Sequence, residues 1–80
     1  MNAGYIRKLV SDDLRETLFF CGLIKDWHCK TRETDGKNKT RYRMETTIGD
    51  IFVYGPKQIY FKDQKFSSLD SMRQELGRYL

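Results

Sequence analysis

Residues 40–62 read TRYRMETTIGDIFVYGPKQIYFK. From 40 to 48 the side chains alternate. Tyr42, Met44, Thr46 and Ile48 fall on one side, and Arg41, Arg43, Glu45 and Thr47 on the other. A period of two is the mark of a strand with one buried face. Gly49-Asp50 and Gly55-Pro56-Lys57 then interrupt the stretch with turn-forming residues. Residues 51–54 and 58–62 are the short strands between and after those turns. Strands joined by such short turns must be antiparallel.

Upstream, residues 25–32 alternate as well. Trp27, Cys29 and Thr31 point one way, and His28, Lys30 and Arg32 the other. The polar stretch from Glu33 to Lys39, with Asp35-Gly36 inside it, joins this strand to the next. Before it, residues 12–21 place Leu14, Leu18 and Cys21 on one helical face. Ser11 serves as the cap, acids fill the first turn, and Gly22 ends the helix. Ile6 and Val10 continue the stripe backwards, which leaves open a start nearer Ala3. At the other end Ser67 or Ser68 caps a helix with the stripe Leu69, Met72, Leu76 and Tyr79 or Leu80. The order is α-β-β-β-β-α, an α+β domain. A four-stranded antiparallel meander carries the N- and C-terminal helices on one face. Eighty residues make one domain, 1–80.

Strand parity then distributes the side chains. If Gly49-Asp50 is a two-residue loop, Ile51 and Val53 join Met44 on the helix side, and Phe52 and Tyr54 join Arg41 and Arg43 on the other. If Pro56-Lys57 is also a two-residue loop, Tyr60 turns to the core, and Ile59 and Phe61 join the uncovered side. That side then holds Lys30, Arg32, Arg41 and Arg43 at one end and Phe52, Tyr54, Ile59 and Phe61 at the other. A bulge, or one extra loop residue, would reverse the later strands.

The net charge of +4 lies in a single segment. Residues 25–43 carry Lys25, Lys30, Arg32, Lys37, Lys39, Arg41 and Arg43 against Asp26, Glu33 and Asp35, while the flanking segments balance. Clustered charge of one sign points to an anionic partner, because neighbouring fields add within a Debye length.

Little chemistry is present. His28 is the only histidine and has no nucleophile at a recognisable spacing. Cys21, His28 and Cys29 are too few for a closed zinc site, so no metal or cofactor is expected. No glycines form a phosphate loop. The longest apolar run, 18–24, is too short for a bilayer, so no membrane association is expected. With no export signal, Cys21 and Cys29 are read as free thiols of a cytoplasmic protein. The outline is similar to that of double-stranded-RNA-binding domains. It departs from them at the entry to the last helix, where residues 66–73 carry one basic residue, Arg73.

What remains is a small non-enzymatic interaction protein that binds and occludes a macromolecular partner. In kind it is similar to the accessory and inhibitor proteins of phages and mobile elements that act on nucleic-acid-handling machines. The partner-binding candidates are Lys30, Arg32, Arg41, Arg43, Phe52, Tyr54 and Phe61. A protein partner is favoured over the alternative, RNA or DNA bound through the basic 25–43 hairpin, because Glu33, Asp35 and Glu45 interrupt the basic stretch. The surplus of aromatic surface also allows a homodimer.

Overall fold

The computed structural model describes residues 2–80. The first helix, α1, spans Ala3–Phe20 and opens earlier than Ser11, because the Asn2 side chain accepts from the Tyr5 amide at 2.8 Å. Ser11 is an interior, fully buried residue whose hydroxyl donates to the Arg7 carbonyl at 2.8 Å. At the other end Gly22 adopts φ +72 and closes the helix, with Leu23 N bonded to Leu18 O and Gly22 N to Phe19 O.

Five antiparallel strands follow, each beside the next: β1 Lys30–Thr34, β2 Thr40–Thr46, β3 Gly49–Gly55, β4 Gln58–Phe61 and β5 Gln64–Phe66. The expected four-stranded meander thus gains a strand, and α2, Leu69–Leu76, comes after it with Ser68 as its cap. A short 3-10 turn, Gly77–Tyr79, ends the chain. The extra strand arises from a tight turn at Lys62 and Asp63, both at positive φ (50 and 64). Positive φ at both central residues produces a hairpin turn with the twist the strands need, here without glycine.

Residues 25–29, expected to begin the first strand, instead form a loop. Leu23 and Ile24 are buried beside that loop. Its neighbouring backbone is pinned to the β2–β3 turn, with Thr47 N donating to Leu23 O at 2.8 Å.

The β2–β3 turn sits on Thr47 and Ile48 rather than on Gly49-Asp50, because Thr46 pairs with Gly49. The displacement is an even number of positions, so every face assignment in β3 survives. Ile51 opposes Met44, Val53 opposes Tyr42 and Phe52 opposes Arg43. The β3–β4 connection is different. Gly55 pairs with Gln58 around the expected two-residue loop, but the register shifts between Val53 and Gly55, leaving Tyr54 as an extra residue. Beyond that bulge Val53 opposes Ile59, Ile51 opposes Phe61 and Phe52 opposes Tyr60.

The core therefore lies between the helices and one sheet face. It comprises Leu14 and Leu18 from α1, Met72 and Leu76 from α2, Met44, Ile51, Val53, Ile59 and Phe61 from the sheet, and Leu23, Ile24 and Cys29 from the segment after α1. Arg73 of α2 ties the two helices together, donating to Asp13 at 2.7 Å and to Thr17 Oγ1 at 3.3 Å. No helix among the described residues is long and apolar enough to cross a membrane.

Candidate functional site

The sheet face away from the helices carries Glu33 from β1, Arg41, Arg43 and Glu45 from β2, Phe52 and Tyr54 from β3, and Tyr60 from β4. Residues directly opposite each other in the ladder share a face. Of the sequence-derived candidates, the structure brings Arg41, Arg43, Phe52 and Tyr54 together here. Three others are placed elsewhere.

Lys30 opposes Met44 and Arg32 opposes Tyr42, so both lie on the helix side. Lys30 pairs there with Asp12 of α1, its ammonium 4.6 Å from the Tyr42 ring centroid. Their expected place beside Arg41 and Arg43 is corrected by the register of β1. Phe61 is 1 % exposed and packs edge-on against Tyr79 at 5.8 Å, because the bulge at Tyr54 turns it inwards. Ile59 is buried for the same reason, and Tyr60 takes the place on the open face expected for Phe61. Only the bulge separates the two outcomes.

The arginines are held by acids. Arg41 donates from Nε to Glu33 Oε2 at 2.7 Å, and Arg43 Nε donates to Glu33 Oε1 at 2.9 Å. Arg43 also pairs with Glu45. The bonds from Arg43 and Arg41 hold the Glu33 carboxyl below its usual value. Glu33 and Glu45 hold the Arg43 guanidinium above its own. Each arginine reaches one oxygen of the shared Glu33 carboxylate, and these charge-assisted bonds restrain both guanidinium groups on this face. Arg41 lies over the Phe52 ring at 4.1 Å, and its Nη1 donates to the Tyr54 hydroxyl at 3.1 Å. Tyr54 in turn donates to Asp35 Oδ2 at 2.6 Å and meets Tyr60 edge-on at 5.5 Å.

Asp35 organises the β1–β2 loop. Its Oδ1 accepts from the amides of Lys37 (2.8 Å) and Lys39 (2.9 Å), while Asn38 takes a positive φ of 65. The Tyr54 hydroxyl first, then the Lys39 amide, holds the Asp35 carboxyl below its usual range. Burial, reinforced by Asp35, raises the Tyr54 phenol. Between this loop and the aromatic rings is an open groove of about 510 Å³.

A second aromatic surface went unread in the sequence. Phe19 and Phe20 end α1, and Trp27 lies in the following loop. Phe19 contacts Phe20 at 5.8 Å and Trp27 at 5.5 Å, and Arg15 stacks on Trp27 at 4.3 Å. Phe20 is 77 % exposed. Phe19 and Phe20 are adjacent in the sequence, but their meeting with Trp27 depends on the path of the loop after α1.

Cys21 and Cys29 are unbonded. No group of three or more His, Cys, Asp or Glu that could hold a metal ion occurs among the described residues. No family model, curated protein or solved structure matches the chain.

Proposed function

We propose that this protein is a non-enzymatic interaction module that binds and occludes a protein partner through the open face of its sheet. The observation that carries the reading is the cross-linked surface of Arg41, Arg43, Phe52, Tyr54 and Tyr60. Aromatic and arginine side chains dominate binding hot spots, and here their rotamers are already restrained by Glu33, Asp35 and one another. Restraint before binding lowers the entropy lost on association. A standard interface of about 800 Å² per partner would take roughly a sixth of the 5210 Å² this chain exposes.

The internal neutralisation of Arg41 and Arg43 favours a protein over a nucleic acid. Phosphate binding depends on cations whose counterions are free to leave, and these two are already held by Glu33 and Glu45. Inhibition of a nucleic-acid-handling machine, as a phage or mobile-element accessory protein would do, fits a small chain that acts by covering a surface.

Affinity capture from lysate with and without nuclease tests this reading. The expected result is a partner that survives nuclease and is lost from a Phe52→Ala, Tyr60→Ala variant that still folds. Binding to bare RNA or DNA at physiological salt, with no protein retained, would reject it.

A further inference from the structure

Along β2 and β3 the open face has lysines at the β1–β2 loop end and acids at the other, while Lys65 lies on the same face opposite Tyr60 of β4. At the β1–β2 end the groove is lined by Lys37, Lys39, Arg41 and Asp35 over a floor of Phe52, Tyr54 and Tyr60, and Arg41 is also held by Glu33. Asp35 is occupied by Tyr54 and by two loop amides. Neither the Lys37 nor the Lys39 ammonium is in an ion pair among the described residues, in contrast to Arg41 and Arg43. At the opposite end of β2 and β3, Glu45 and Asp50 stand directly across from each other.

From this we infer that the groove receives an acidic segment of the partner protein, one that places an aromatic or large apolar side chain beside its carboxylates. The inference rests on the reading of the open face as a protein-binding surface. Carboxylates of the segment meet Lys37 and Lys39, and its apolar side chain lies against Tyr54 and Tyr60. Arg41, fixed over Phe52, closes one wall. Charge complementarity selects the occupant. A phosphodiester chain carries its charge at every step, and one running along β2 and β3 would pass from the lysines to Asp50 and to Glu45, which is paired with Arg43. A short acidic segment places its charge at the lysine end only. The Lys37 and Lys39 side chains lie on an exposed loop whose shape is set by backbone bonds to Asp35, so reversing their charge leaves the fold intact.

The test uses three fluorescent probes at physiological salt, read by anisotropy against the full chain. They are a short peptide alternating Asp and Glu with Phe and Trp, the same peptide with every acid replaced by Lys, and a single-stranded oligothymidylate. The expected result is binding of the acidic peptide at least about tenfold tighter than either competitor. That binding should fall by about tenfold in Lys37→Glu with Lys39→Glu and remain unchanged in Lys25→Glu. Amide shifts on titration should centre on residues 37–41, 54 and 60. Equal or tighter binding of the basic peptide or the oligothymidylate, no binding of the acidic peptide, or indifference to the double charge reversal would overturn the inference. If the acidic peptide fails while a nuclease-resistant partner is still lost from Phe52→Ala, Tyr60→Ala, the partner chemistry is wrong and the protein-binding reading stands. If that partner is not lost, both fall.

Discussion

The Tyr54 hydroxyl donates to the Asp35 carboxylate at 2.6 Å, joining the bulged residue of β3 to the loop between β1 and β2. The same oxygen accepts from Arg41. One phenol therefore holds together the loop, the arginine and the aromatic floor.

Tyr54→Phe should keep the fold, lose about 1 kcal/mol of stability in urea denaturation, and loosen the loop. The looser loop is read as faster hydrogen exchange at the Lys37 and Lys39 amides, both of which donate to Asp35. Asp35→Ala removes all three bonds, so its loss should be larger. Equal exchange in wild type and Tyr54→Phe would mean that the loop orders itself without the phenol.

Acid should weaken the protein through the same network. Glu33 and Asp35 are held below their ordinary values of 4.5 and 3.8. The unfolded chain therefore takes up these protons first as pH falls. Their contribution is complete above the ordinary carboxylate range and is lost as pH drops through the lower folded values. Denaturation midpoints measured across that range should fall, and Glu33→Gln should flatten the slope.

The bulge predicts opposite outcomes for adjacent residues. Phe61→Ala empties a core position and should cost about 3–5 kcal/mol, a large part of the stability of so small a domain. Tyr60→Ala alters a half-buried outer position and should cost about 1 kcal/mol. Thermal denaturation of the pair distinguishes this packing from the unbulged register, in which the two penalties would be exchanged.

Gly22 ends α1 at φ +72, where a Cβ would meet nothing within 4 Å. The penalty of Gly22→Ala is therefore conformational and should be about 1–2 kcal/mol, measured by urea denaturation. A neutral substitution would mean that the helix ends differently.

Elements with strong periodicity were legible in the sequence. The alternation through Tyr42 and Met44 identified β2, and the stripes of Leu14 with Leu18 and Met72 with Leu76 identified the helices. The face of Phe52 and Tyr54 was legible even though the turn before them lies two residues earlier, because an even displacement preserves parity. Ile59, Tyr60 and Phe61 were not, since one extra residue at Tyr54 reverses all three. The fifth strand was hidden because Lys62-Asp63 makes its turn without glycine, and Gln64–Phe66 is too short to show a period. Alternation with Trp27, Cys29 and Thr31 assigns Lys30 and Arg32 to the basic face, whereas the register of β1 puts both on the helix side. Burial of Lys30 against Asp12 and Tyr42 depends on a helix contact that the local pattern does not contain.

Two aromatic surfaces are candidates for the proposed binding: the open sheet face and the Phe19–Phe20–Trp27 cluster. The deciding measurement is the affinity of the captured partner for Phe52→Ala, Tyr60→Ala on one side and for Phe20→Ala, Trp27→Ala on the other, with each variant shown to fold. If the open face is the binding surface, the first pair loses about 2 kcal/mol or more of binding free energy and the second binds like wild type. Loss confined to the Phe20 and Trp27 variant would contradict the account and move the site to the end of α1.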